Sequence, residues 1–530
     1  MGRVACDDLV VQGITRSDRE LLDAQALVGG LVPSGSVFAF FAEHRHELFP
    51  DSFIADLFSS STGRPSLPAD LVGSVLVLKE LYDLSDLQTA DALRYDIRWK
   101  VACGRSLTQT SFDPSTLVYW RKRIAASDRP DRVFDAVARV IAETGILRGR
   151  RKRCVDSTVF DDAVATQDTV TQLVAAMRKV ARLVPGAQSV IEQVARLDYA
   201  KPGKPDIDWD DAQAKAALVS DLVNDAVAVL GELCVEDAPH REGPAADALG
   251  LLALVAGQDV EPAEGSDGTD GRWRIARRVA ADRVISVHDP DTRHVHKTLH
   301  QRSDGYKAHI AVEPDTGLVT ACALRQASGV ENHEAAVGLE LLAGEDPGLE
   351  VLGDSAYGTA EARLALADAG HDAVIKPPPL RTVIEGGFTR DDFLVDETAG
   401  RVTCPAGHTV AITRARGADF GIRCRACPLR ARCTTSKRGR HLTLHEHDSV
   451  LFAARRQAET PEFQTVYRQH RPMVERSIAW IVRGNRRLRY RGTIKNDWWL
   501  HHRVAAINLK RLITLGLDNI NGAWTIPAAT

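Results

Sequence analysis

"VLGDSAYGTAEARLALADAG", residues 351–370, is the stretch whose reading decides the fold. Val351 and Leu352 form an apolar pair that runs through Gly353 into an acid, Asp354. An alanine-rich helical pattern follows. A short apolar run that stops on a carboxylate and feeds a helix reads as a buried strand presenting an acid at the end of a sheet. One acid alone does little chemistry, so its partners must be sought elsewhere in the chain.

Immediately upstream, "GYKAHIAVEPDTGLVTACALRQAS" (305–328) holds two alternating segments around Pro314-Asp315-Thr316-Gly317, a hairpin turn. "ENHEAAVGLELLAG" (331–344) reads as a helix, and "HDAVIKPPP" (371–379) as another short strand. A hairpin followed by alternating α and β predicts a mixed sheet with helices on its faces. Farther upstream, "RKRCVDSTVF" (151–160) is a β-like stretch carrying Asp156, and "RVISVHDPD" (283–291) carries a further strand signal. Between them, about 163–280 reads as helical. Val170, Leu173, Val174, Met177, Val180 and Val184 make one apolar stripe there.

Residues from about 36 to 126 also read as helices. Ser85 is placed to cap a helix with Leu87, Ala90 and Leu93 on one face. Pro114 or Ser115 starts another that ends in Arg121, Lys122 and Arg123, which fits either a helix-turn-helix-like DNA contact or a plain helical bundle with a solvated basic end. With 530 residues, two to four domains are expected. A hydrophobic fraction of 44% and a charged fraction of 26% are those of a soluble globular protein. "MGRVACDDLVVQG" lacks the basic start and apolar stretch of a signal peptide, and no apolar run reaches membrane-spanning length, so a cytoplasmic protein is expected.

The net charge of −4 hides an uneven distribution. From Arg468 to Arg511 the only acids are Glu475 and Asp497, among many arginines and lysines. Glu475 follows Arg471 by four residues, which allows a plain intrahelical ion pair. It also allows a third carboxylate to join Asp156 and Asp354 at one edge of the sheet. Such a triad suits two Mg²⁺ or Mn²⁺ ions about 4 Å apart, the arrangement for in-line phosphoryl displacement. Nearby acids are expected to be bystanders: Asp161 and Asp162 as solvated loop residues, and Asp304 as a turn residue. His309 is expected to be a hydrogen-bonded sheet histidine.

These pieces together resemble the DDE transposases of bacterial insertion sequences. "GRPSLPADLVGSVLVLKELYDLSDLQTADALRYDIRWKVACG" and "SFDPSTLVYWRKRI" are similar to their helical N-terminal module. "CVDSTVF" and "LGDSAYG" are similar to the two aspartate strands, and "YRQHRPMVERSIAWIVR" to the tyrosine–arginine–glutamate helix. The resemblance implies a metal-binding triad of Asp156, Asp354 and Glu475. It also implies DNA contacts from Tyr467, Arg471, Arg476, Arg483 and Arg486. Tyr467 stands one position farther from Arg471 than the usual spacing, and residue 482 is Val, so Arg483 is the nearest distal base. The implied fold is α+β, or mixed α/β: a ribonuclease-H-like mixed sheet with an all-α N-terminal domain, a helical insertion and a small zinc-ribbon-like insertion. The corresponding divisions are 1–145, 146–162, 163–282, 283–385, 386–455 and 456–530. The partners implied are DNA, as element ends and target, and a second copy of the chain. A silent DNA-binding descendant and a nuclease without strand transfer are the rival readings.

Nine cysteines are present. Cys424, Cys427 and Cys433 in "CRACPLRARC", with Cys404 upstream, have the C-x2-C spacing of a structural tetrahedral Zn²⁺ site, and His408 competes for one place. Such an ion contributes on the order of 10 kcal/mol to a module poor in apolar residues. Cys6, Cys103, Cys154, Cys234 and Cys322 are scattered singly. In the basic C-terminal stretch, Trp498 and Trp499 read as core anchors.

Overall fold

The computed structural model describes residues 11–15, 21–58, 65–234, 242–278, 280, 282–296 and 302–527. Cys6 lies outside them. The main sheet has six strands: β1 (Lys152–Asp161), β2 (Arg293–His296), β3 (Arg302–Glu313), β4 (Leu318–Gln326), β5 (Glu350–Gly353) and β6 (Asp372–Ile375). Their order is β6-β5-β1-β3, and both β4 and β2 pair with the far edge of β3. β6, β5 and β1 run parallel. β3 is antiparallel to β1 and to β4. The mixed sheet expected from the hairpin and the α/β alternation is therefore present.

The alternation of side chains along β1 divides the core. Cys154 and Phe160 face one way, against Ile310, Val474 and the Thr493–Thr514 helix. Val155 faces the other, with Ala311, Val351, Tyr357 and Ile375. The first of these clusters runs on without a break into the helices of residues 24–141, where Phe41, Trp120 and Val140 are fully or almost fully buried. Polar contacts tie the same parts together. Trp498 Nε1 donates to the Pro130 carbonyl at 2.9 Å, and the Arg503 guanidinium donates to the Glu80 and Ile481 carbonyls. Trp498 and Trp499 are core anchors, as their apolar setting demands.

The Thr169–Leu183, Ala187–Val194, Ala212–Leu233 and Pro244–Gln258 helices pack around a separate core that includes the whole predicted Val170–Val184 stripe. Two local expectations fail here and nearby. Residues 283–291 are buried at Val284, Ile285 and Val287 but form no strand. Glutamine side chains satisfy that backbone in place of a ladder. Gln172 and Gln258 donate to the Val284 carbonyl, and Gln167 accepts from Val287 N. On the Asp86–Tyr95 helix, capped by Ser85 and Gln88 as a capping box, Leu87 is exposed and Thr89, Ala90 and Leu93 form the buried face. No helix among the described residues is long and apolar enough to cross a membrane.

Candidate active site

β1 pairs Lys152, Arg153 and Cys154 with Glu350, Val351 and Leu352, a constant offset of 350 − 152 = 198. The same offset carries Asp156 to Asp354. The ladder ends at Cys154–Leu352 and β5 at Gly353, so Asp354 stands one residue past the strand end, near enough to Asp156 to add to the rise of its carboxyl. β6 pairs with β5 at an offset of 372 − 350 = 22, which carries Asp354 to Lys376. Lys376 extends the row, and its Nζ lies 4.7 Å from the centre of the Tyr467 ring. Its place was legible only as an unremarked base after "AVI".

Asp156 lies within β1, not at its end. Its Oδ1 accepts from Ser157 N at 2.8 Å, and its Oδ2 meets Arg471 Nη2 at 2.8 Å. Both side chains are largely buried. Burial raises the Asp156 carboxyl above the ordinary carboxylate range; Arg471 pulls it back and neighbouring Asp354 adds to the rise. Asp354 caps the short 3₁₀ turn Ser355–Tyr357 by accepting from Ala356 N at 2.9 Å.

The Pro461–Ile481 helix delivers Tyr467, Arg471 and Glu475. It is seated on β1 by Val474 and by Cys154 Sγ, which donates to the His470 carbonyl at 3.7 Å. Tyr467 stacks on Phe463 at 5.7 Å. The expected alternative for Glu475, an ion pair with Arg471, is absent because Arg471 is engaged with Asp156. Glu475 is exposed and, among the described residues, has no hydrogen bond or ion pair. It lies one turn beyond Arg471, on the same face of the helix. Among the described residues, no three His, Cys, Asp or Glu side chains are gathered closely enough to hold a metal ion. The strands bring Asp156 and Asp354 together; Glu475 is not drawn in with them.

The expected DNA-contacting bases divide in two. Arg476 and Arg483 are exposed, and Arg483 lines a cleft of about 220 Å³ with Trp480 and Lys510. Arg486 is exposed but also donates to Thr158 Oγ1 at 2.8 Å, fastening the basic loop to β1. In the Ser115–Ala125 helix, Arg121 makes a two-point contact with Asp86, both at 2.6 Å, and Arg123 donates to the Leu57 carbonyl at 2.9 Å. Lys122 is the exposed one of the three.

Three bystanders are corrected. Asp162 is buried, not solvated: Thr292 Oγ1 donates to it at 2.6 Å, and Val164 N at 3.2 Å. Asp161 is exposed, as expected, though at the end of the strand. Asp304 is a strand residue, bonded to His294 and Thr166, because β2 pairs with the first part of β3. His309 is fully buried beside Ser157 on the face opposite Asp156, and neither ring nitrogen has a hydrogen-bond partner. Burial pushes it down to about 3.

The cysteines form a second assembly. Cys404, Cys424, Cys427 and Cys433, with His408, line one cavity of about 20 Å³. All four are free thiols. Burial raises the Cys433 thiol, and the other three sulfurs add to the rise while Arg440 opposes it.

Residues 403–513 match the Transposase DDE domain family, and residues 30–123 match the Transposase domain (DUF772) family. These two stretches of the chain are similar to transposase domains. The first match spans Glu475 and the four cysteines, and the second spans Arg121 and Lys122 up to Arg123. Neither reaches Asp156 or Asp354. No curated protein matches, and no solved structure matches. The pairing of the two aspartates rests on strand register and on the effect of Asp354 on the Asp156 carboxyl.

Proposed function

We propose that the chain is a DNA transposase that cleaves DNA at element ends and joins the freed 3′-hydroxyl to target DNA. The observation that carries the reading is the Asp156–Asp354 row, lying under a helix that supplies an unpaired Glu475 and a run of bases. The strand order supports a ribonuclease-H-like core: an antiparallel hairpin flanks one side of β1 and two parallel strands flank the other. The donor set suits Mg²⁺ or Mn²⁺. It consists of hard oxygens, and burial and Asp354 disfavour the charged form of Asp156, a cost that a divalent cation offsets. Asp156, Asp354 and Glu475 would hold two such ions, which when bound stabilise the entering and leaving oxygens of an in-line displacement.

The chain's own residues do the rest. Arg471 keeps the buried Asp156 carboxylate paired and oriented. Arg476, Arg483 and Arg486 meet backbone phosphates. Water attacks first and the freed hydroxyl second, each in line. Two ends must be held together, so the working form is a homodimer, acting on DNA in the cytoplasm. The test is a nicking assay on duplex carrying the sequences that flank the gene. Asp354→Asn is expected to lose at least about a thousandfold in rate while still binding the duplex, since metal stabilisation supplies several kcal/mol of the barrier. Undiminished Mg²⁺-dependent nicking by this variant would overturn the assignment. A precut end that is never joined to target would make the chain a nuclease.

The same reading includes a structural Zn²⁺ on Cys404, Cys424, Cys427 and Cys433. The small cavity that all four line supports it, since C-x2-C thiolates on one lining suit a tetrahedral ion. Purified protein should carry one zinc per chain, lost in Cys427→Ser. Zinc-free protein with an intact fold would contradict it.

A further inference from the structure

Between Arg401 and Arg440 the sequence has ten arginines and lysines and one acid, Asp419. The structure sorts these bases by side. On the side of the segment that faces the rest of the chain, charges are matched: Arg416 pairs with Glu397, and just outside the run Arg390 pairs with Asp448 and Arg455 with Asp391 at 2.6 Å. Around the cysteine cavity they are not. Arg423, Arg425, Arg432, Lys437 and Arg438 are exposed, and none has an acidic partner among the described residues.

These five bases belong to one end of the segment. Gly439 has a φ of +103°, and a Cβ there would fall 2.6 Å from the Gly421 carbonyl oxygen. The turn that carries Arg423 and Arg425 is therefore pressed against the one that carries Lys437 and Arg438. Arg440 N donates to Cys424 Sγ at 3.4 Å, and Arg430 Nη2 to the Ser436 carbonyl at 3.2 Å, which close the same loop from the other side. Arg432 lies over the Phe388 ring at 4.8 Å, so its guanidinium is held in place. Five cations kept together without counter-charges cost energy through mutual repulsion, and a polyanion relieves it.

We propose that this end of the cysteine-bearing segment is a second docking surface for the phosphate backbone of DNA, separate from the Asp156–Asp354 row. The proposal rests on the reading of the chain as DNA-acting. Phosphates suit it because guanidinium groups bind phosphate oxygens in two-point fashion, and no aromatic base-reading group is needed.

The test uses the full chain and a fluorescent duplex, with affinity measured by anisotropy over a range of salt concentrations. Neutralising Arg423, Arg425, Arg432 and Arg438 together, each to Gln, should reduce the slope of log K against log salt by about 3 to 4, at roughly 0.9 per phosphate contact. Each single replacement, such as Arg425→Gln, should reduce it by about 0.9, so the result does not depend on the quadruple variant folding. A wild-type slope in all variants overturns the surface while leaving the transposase reading intact. A wild-type chain that binds no duplex overturns both. Loss of binding to phosphatidylserine vesicles with duplex binding unchanged would assign the surface to a membrane and also overturn the proposal.

Discussion

The two halves of the candidate site are built by different means. The strand half is set by backbone register: the ladder that pairs β5 with β1 carries the chain into Asp354, close beside Asp156. The helix half depends on how one helix packs across the sheet, with Phe463, Val474 and Ile481 in the core and Arg471 paired with Asp156. A ladder positions side chains collectively, whereas each side chain on a helix is placed by the packing of the helix as a whole. The difference teaches why the two strand acids lie together while Glu475, on the helix, is not gathered in with them.

The comparison breaks most sharply at Arg471, the contact that joins the halves. Arg471→Ala leaves Asp156 largely buried without its cation, and should destabilise the chain by about 2–4 kcal/mol, toward the lower end because the pair is not fully enclosed. Added Mg²⁺ should then raise the melting temperature of the variant more than that of the wild type, since a divalent ion replaces the missing charge. An equal shift in both would mean that Arg471 and metal do not share Asp156.

A smaller effect sharpens the strand half. His309 sits behind Ser157, with Glu334, Lys307, Arg325 and His333 around it, and burial holds it neutral down to about 3, from an ordinary 6.5. Its folded value is depressed, so the unfolded chain takes up a proton first as the pH falls below 6.5. Stability is therefore lost as pH falls, by at most about 1.4 kcal/mol per unit. His309→Leu should flatten the pH dependence of chemical denaturation between about pH 6.5 and 5, where carboxylates contribute little. An unchanged slope would mean that the sheet admits a charged His309.

The strand half was also the more legible one. An apolar run ending on an acid is a local signal, and it marked Asp354; Asp156 was read from the β-like stretch that carries it. The row itself was not, because Lys376 gains its meaning only from two offsets across three strands. Errors arose wherever a partner came from far away in sequence. Asp162 looked like a loop acid until Thr292, brought alongside by the chain's return to β2, donated to it. Residues 283–291 looked like a strand because their apolar residues are buried, yet three glutamine side chains from other segments take the place of a ladder. Arg471 offered Glu475 as the nearest acid in sequence, and packing gave it Asp156 instead. The four cysteines grouped by spacing line one cavity, yet among the described residues no three of them are close enough to hold an ion.

The central claim is that Glu475 joins the two strand acids around divalent ions. Mn²⁺ binding followed by electron paramagnetic resonance tests it without reference to activity. The account predicts two tight ions per wild-type chain in the presence of duplex, with binding weakened strongly by Asp354→Asn and by Glu475→Gln. Full wild-type Mn²⁺ binding in Glu475→Gln would contradict it, and would leave the helix half as a holder of Asp156 and of DNA alone.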